Sequence, residues 1–111
     1  GMGRDADSRA YGHRVFVAPA AAWAQAARAV GRNAWLYEFA FAPSDRFGAC
    51  HCIELPFMFG NVEAYAGAPM LDGMTPGDAD RLVGQMLPAW LRFIRGESPG
   101  WPQAPALRTF V

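Results

Sequence analysis

The sequence predicts a small α/β chain with two main helices, over about 19–30 and 75–95, and a strand over about 34–41. A second strand is expected over 107–111. Three observations support this arrangement. Apolar residues recur at helical spacing in the two longer segments, side chains alternate between two faces along the strand segment, and glycine or proline residues mark the segment ends.

The first 14 residues are polar and contain glycine, and we expect them to be loose. Gly1-Met2 has the form of a tag remnant ahead of an initiator methionine. The remaining residues, 15–111, are expected to form a single small domain. The length of 111 residues suits one domain, and 52% of them are hydrophobic, which is enough for a core.

The first predicted helix begins at Pro19, a residue favoured at the first helical position. Its apolar face contains Trp23 and Val30, and Gly31 is expected to end it in the left-handed conformation. The second predicted helix is capped by Thr75, with Asp78 at the capping-box position. We expect the four tryptophans to pack in the core or in an interface.

The strand over 34–41 places Trp35, Tyr37, Phe39 and Phe41 on one face. Because its other face is also mostly apolar, we expect both faces to be covered. Such a strand must find a partner for its edges. The candidates are Leu107–Val111 in the same chain and a second copy of the chain, so we expect a homo-oligomer in the form of a dimer.

Charge and cysteine content exclude several classes of function. The formal net charge is zero, and the ten basic residues are scattered arginines. This pattern predicts neither nucleic acid nor a membrane surface as a partner, and the apolar stretches are too short to span a bilayer. Two cysteines separated by one residue do not form a disulfide framework, which fits a cytoplasmic location.

The candidate functional residue is His51, within Phe47–Gly60 (FGACHCIELPFMFG). It lies between Cys50 and Cys52, and the acidic Glu54 follows three residues later. A histidine at the tip of a loop that enters an apolar segment is placed as a general base would be. The alternative is a histidine that packs near the core and makes one hydrogen bond.

A resemblance to a known family is carried by Gly48-Ala49-Cys50-His51, Glu54-Leu55-Pro56-Phe57 and Phe59-Gly60. These residues resemble the catalytic-histidine loop of type-B carboxylesterases, a family of α/β-hydrolases that includes para-nitrobenzyl esterases and cholinesterases. The resemblance extends over about 13–110. Within it, Tyr37-Glu38-Phe39 is similar to the family's aromatic strand, and Trp101-Pro102 is similar to its closing tail.

The resemblance implies that the chain is the C-terminal portion of a longer serine hydrolase of carboxylic esters. His51 would be its triad histidine and Glu54 a supporting acid. The family's serine elbow, oxyanion loop and triad acid have no counterpart in this sequence. A complementary N-terminal hydrolase portion is therefore an expected partner. The alternative is a non-catalytic remnant that acts as a small self-associating protein.

Ser98 lies in Gly96–Gly100, which matches the G-x-S-x-G nucleophile pattern. We reject it as a nucleophile because such an elbow joins a strand to a following helix, whereas Ser98 follows a predicted helix. In addition, Pro99 has no backbone N–H to offer an oxyanion. The serine also comes after His51, against the order of the fold.

The cysteines leave further alternatives open. Cys50, His51 and Cys52, with His13, offer zinc-ligand types, but their spacing is unlike the C-x2-4-C pairs of structural zinc sites. Cys–His nucleophilic catalysis is a second alternative, and small buried hydrophobic side chains are a third. We predict no metal site and no cofactor.

Overall fold

The computed structural model describes residues 2–111, with side chains described for all of these except Met2, Arg4 and Asp5. Over that range the helices are α1 (Met2–Gly12), α2 (Ala18–Ala29), α3 (Leu55–Met58) and α4 (Pro76–Ile94). The strands are β1 (Leu36–Phe39) and β2 (Leu107–Phe110), and short 3-10 helices cover Val62–Tyr65 and Pro69–Leu71. None of the helices in residues 2–111 is both long and apolar enough for a membrane span.

The two strands form one sheet of two strands. The Ala104 N–H donates to the carbonyl of Ala34 at 2.8 Å, and the Ala40 N–H donates to the carbonyl of Phe110 at 2.8 Å. In both bonds the two bonded residues are separated by the same number of positions along the chain. Because this separation stays constant from one end of the pair to the other, the two strands run parallel. The mixed α/β class is therefore confirmed, with the predicted strands shortened to 36–39 and 107–110. The α/β-hydrolase fold stays a prediction.

The chain divides into two compact units. One runs as far as Leu36 and includes Pro102–Arg108, and the other combines Tyr37–Trp101 with Thr109–Val111. In the first unit, Gln103 holds the segment after α2, because its Oε1 accepts from the Ala34 N–H at 2.9 Å. The expectation of a single small domain over 15–111 stays a prediction.

The first unit contains a continuous helical run. Between α1 and α2 lies a π-helical segment, His13–Val17, in which the Ala18 N–H donates to the carbonyl of His13. This wider turn ends two residues before Pro19, which has no N–H to donate. The backbone of Met2–Gly12 is helical, and the looseness expected of residues 1–14 stays a prediction. Gly1 lies outside the described residues.

The predicted helix over 19–30 is confirmed as α2, but its apolar face is not buried. Trp23 is 81% exposed and Val30 73% exposed, while Ala24 is the buried residue of this helix. Among the described residues, none of the large side chains in the core of the second unit comes from α2. Trp23 therefore lies on the surface of this chain and not in its core.

Both long helices end at the predicted glycines. Gly31 has φ 78° and Gly96 has φ 81°, the left-handed conformation that glycine adopts most easily. After α4, the Gly96 N–H donates to the carbonyl of Phe93 at 3.0 Å, and the Glu97 N–H donates to the carbonyl of Arg92 at 3.0 Å. These paired bonds form a Schellman motif, and the corresponding pair follows α2.

The strand β1 is less covered than expected. Tyr37 and Glu38 are exposed, and Leu36 and Phe39 are half-buried. The prediction that both faces are covered is therefore wrong for this chain. The apolar side chains of this segment are suited to burial on both faces of the strand. Burying both faces, however, needs a layer of structure packed on each side of the sheet.

The helix α4 packs against α3 around the core of the second unit. At its N-terminus the Thr75 Oγ1 accepts from the Asp78 N–H at 3.1 Å, and the Asp78 Oδ2 accepts from the Thr75 N–H at 3.0 Å. The predicted capping box is thereby confirmed. The core consists of Phe41, Ile53, Phe57, Leu71, Leu82, Met86 and Phe110.

Candidate functional site

The candidate site lies in the loop that joins β1 to α3. Phe41, near the start of this loop, and Ile53, near its end, are both buried in the core. Between them, the buried Ser44 forms a first turn: its carbonyl accepts from the Gly48 N–H at 2.8 Å, and its Oγ accepts from the Phe47 N–H at 3.3 Å. The loop is therefore held at both ends and internally.

His51 occupies the second position of a β-turn, Cys50–Ile53. The turn is closed by the Ile53 N–H, which donates to the carbonyl of Cys50 at 3.2 Å. Cys52, at the third position, has φ 68° and is the only residue other than glycine with a positive φ within residues 2–111. A type II turn requires a positive φ there and favours glycine. The turn holds His51 exposed at its corner.

The residues after the turn connect it rigidly to the core. The Leu55 N–H donates to the carbonyl of Cys52 at 3.2 Å, so the turn leads directly into α3. Phe57, which is fully buried, stacks on Phe39 with ring centroids 5.5 Å apart and meets Phe41 edge-on at 5.7 Å. The imidazole of His51 therefore projects from a backbone whose position is determined by aromatic packing.

Glu54 precedes α3 and is half-buried. Its carbonyl accepts from the Met58 N–H at 2.9 Å, which starts the helix. Within the described part of the chain, no side-chain hydrogen bond joins Glu54 to His51. The two predicted site residues are thus near each other in sequence, but they do not form a hydrogen-bonded pair.

The electrostatic neighbour of Glu54 is Tyr37, on β1. Tyr37 is only partly exposed, and the burial of the rest of its side chain raises the pKa of the phenol above its usual 10.0; the Glu54 carboxylate raises it further. The tyrosine ring meets Trp90 edge-on at 5.8 Å and Phe110 edge-on at 6.0 Å. Sequence reasoning missed this relationship, because only the tertiary packing brings Tyr37 and Glu54 together.

Ser98 belongs to the turn that follows α4. Its Oγ accepts from the Gly100 N–H at 3.3 Å, and the carbonyl of the buried Pro99 accepts from Arg92 at 2.7 Å. The next regular element is β2, so Ser98 does not join a strand to a helix. These contacts agree with our rejection of Ser98 as an elbow serine.

Cys50 and Cys52 are both free thiols and half-buried. No group of three His, Cys, Asp or Glu side chains among the described residues is arranged to hold a metal ion. His13 lies in the π-helical segment and is exposed. The residue types of a zinc site are present, but the structure does not assemble them.

Comparison with known proteins gives two partial similarities. The chain is 40% identical over 63 residues to phenmedipham hydrolase of Pseudarthrobacter oxydans, a match covering 57% of this chain and 13% of the relative. It is 32% identical over 92 residues to a probable N-octanoylanthranilate hydrolase of Rhodococcus erythropolis, covering 79% of this chain and 20% of the relative. No protein-family profile and no solved structure matches the chain.

The chain therefore has weak homology to two hydrolases and spans about an eighth and a fifth of their lengths. The candidate residues fall inside both similar segments. A segment of 63 residues in a chain of 111 can begin no later than residue 49 and end no earlier than residue 63. His51 and Glu54 lie within that range, and the longer match includes them for the same reason.

Proposed function

We propose that this chain is the C-terminal portion of a carboxylesterase-like serine hydrolase and that His51 is its general base. The observation that carries the proposal is that His51 lies inside both segments similar to hydrolases. Its exposure at the corner of an anchored turn supports the same role. A general base must reach the proton that it removes, so an exposed imidazole is suitably placed.

In this proposal the imidazole of His51 takes the proton of a serine hydroxyl as that oxygen attacks the ester carbonyl. It then returns the proton to the leaving alcohol. Because the turn is attached to buried Ile53 and Phe57, the backbone that carries the base is held in place, and the freedom that remains is rotation of the His51 side chain. Glu54 is a supporting residue in this scheme, and it acts through the position of α3 rather than through a hydrogen bond to His51.

The nucleophile and the triad acid come from a complementary hydrolase portion. Ser44 is buried and accepts a backbone hydrogen bond, and Ser98 is engaged in the turn after α4. A base without a nucleophile gives almost no rate enhancement, because the triad acts as a unit. We therefore expect the chain alone to hydrolyse esters at about the rate of free imidazole.

The test is a chimera in which this chain replaces the matching segment of phenmedipham hydrolase. We expect the chimera to hydrolyse para-nitrophenyl acetate, and His51→Asn to lower its kcat/KM by about a thousandfold or more. His13→Asn is the matched control, since it removes the other histidine of the chain and should leave the rate unchanged. The isolated chain is assayed in parallel.

An active chimera whose rate survives His51→Asn would contradict the proposal. A rate in the isolated chain that disappears with His51→Asn would show that the chain contains its own nucleophile. Ser98→Ala, Cys50→Ser and Cys52→Ser would then identify it.

The second candidate function is a non-catalytic remnant that acts as a small self-associating protein. The exposed apolar side chains of the helical run favour it, Trp23 above all. A folded but inactive chimera, together with a chain that associates with itself in solution, would favour this candidate over the hydrolase.

A further inference from the structure

A row of apolar residues lies along the continuous helical run formed by the π-helical segment and α2. We call it the apolar stripe, and it consists of Phe16, Ala20, Trp23, Ala27 and Val30. The steps between its members alternate between four and three residues, which is the spacing of a coiled-coil seam. Phe16 is 69% exposed, and Trp23 and Val30 are exposed still further. The stripe contains no charged residue.

The sizes of its side chains alternate as well. The large Phe16, Trp23 and Val30 are separated by the small Ala20 and Ala27. A core between two helices packs best when a large side chain on one helix meets a small one on the other. The stripe therefore has the features of a surface that is complementary to itself.

We propose that the apolar stripe is the interface between two copies of this chain, paired as antiparallel helices. In this register Trp23 of one copy faces Ala20 of the other and Phe16 faces Ala27, while Val30 faces His13 at the end of the interface. A twofold axis relates the two helices, so every contact occurs twice and the interface closes as a dimer.

The parallel alternative fits less well. With the two helices in parallel and in register, Trp23 would face Trp23 and Phe16 would face Phe16. The alanines would face each other and leave gaps between the aromatic layers, which lowers packing density and stability. The alternation of large and small side chains thus selects the antiparallel arrangement.

The buried area sets the expected strength. Phe and Trp side chains bury about 150–250 Å² each, so the stripe contributes on the order of 500 Å² per copy, compared with about 800 Å² in a standard interface. We therefore expect a weak dimer with a Kd in roughly the micromolar range. This association rests on the second candidate function, in which the chain is a small self-associating protein.

The experiment is sedimentation equilibrium of the purified chain across a concentration series on both sides of the micromolar range. We expect the wild type to pass from monomer to dimer, and Trp23→Glu to remain monomeric. Ile94→Glu is the matched control, because Ile94 is equally apolar and 73% exposed at the end of α4. Circular dichroism checks that both variants keep their helices.

Ala20→Leu tests the antiparallel register. It would crowd Trp23 of the other copy, so we expect the Kd to rise about tenfold or more. In the parallel arrangement the same leucine would fill a gap and lower the Kd. A monomeric wild type, dissociation caused by Ile94→Glu alone, or a tighter Ala20→Leu dimer would each overturn the proposal. No hydrolysis is measured, so failure of the hydrolase proposal would not affect the result.

Discussion

Tyr37 on β1 and Glu54 at the start of α3 interact electrostatically across the second unit. Burial first, and the Glu54 carboxylate second, raise the pKa of the Tyr37 phenol above 10.0. The tyrosine is 37% exposed and its ring lies against Trp90 and Phe110. The Glu54 carboxylate, which follows the His51 turn, therefore interacts with the Tyr37 phenol, and titration of that phenol can measure the interaction.

Substituting Glu54 by Gln should lower the pKa of Tyr37, but not to 10.0, because the burial that contributes most remains. The measurement is the phenolate absorbance as the pH rises through 10.0, with Tyr37→Phe identifying the contribution of this residue. An unchanged titration in Glu54→Gln would show that the carboxylate does not reach the phenol.

The same shift predicts how stability depends on pH at the alkaline end. The folded pKa of Tyr37 is raised, so its contribution is fully present below the unfolded value of 10.0 and is lost as the pH rises through the folded pKa. Tyr37→Phe should therefore lose less stability than the wild type over that range. Denaturant midpoints at a series of pH values give the comparison, and parallel curves for the two proteins would contradict it.

Thr75→Ala should lower the free energy of unfolding by about 1 kcal/mol. The substitution removes the Oγ1 that accepts from the Asp78 N–H at 3.1 Å. Thr75→Ser is the control, since it keeps the oxygen and should stay close to the wild type. Urea denaturation measures both, and equal midpoints for the alanine and serine variants would exclude a role for the cap.

Asp78 should make the protein sensitive to acid. The Thr75 backbone N–H lowers the pKa of Asp78 below 3.8, with smaller contributions from Arg81 and from the Thr75 hydroxyl. Because the folded pKa is depressed, the stabilisation is present above 3.8 and is lost as the pH falls through the folded value. The difference in free energy of unfolding between the wild type and Asp78→Asn should therefore shrink as the pH is lowered through this range. A difference that is constant with pH would argue against this cause.

Cys52→Gly should stabilise the His51 turn. A residue with a Cβ pays about 1–2 kcal/mol of folded-state strain to adopt the φ of 68° found at Cys52. Glycine avoids this strain, but its more flexible unfolded state lowers the free energy of unfolding by about 0.5–1 kcal/mol. We expect a net gain of about 0.5–1 kcal/mol in the free energy of unfolding. Cys50→Gly, at the first position of the same turn, should destabilise instead. Thermal unfolding of the two variants in opposite directions is the expected result.

Much of the local structure could be predicted from short-range patterns. The glycine ends of α2 and α4 and the Thr75–Asp78 box involve residues at most five apart, so the interactions that form them are present in the local sequence. Short-range patterns did not predict the helical backbone of Met2–Gly12, because this segment is polar and contains glycine. The candidate loop was predicted as a segment, but not its turn geometry.

Short-range patterns were enough to predict the two long helices, their ends and the position of His51 in a loop before an apolar run. The pairing of β1 with β2 depends on packing of the whole chain, because the bond from Ala104 to Ala34 joins distant parts of the chain. Tertiary structure also decided that Trp23 is exposed and that Tyr37 is the electrostatic neighbour of Glu54. The difference comes from distance along the chain. Neighbouring residues meet in any conformation of a helix or turn, whereas distant residues meet only when the whole chain has packed.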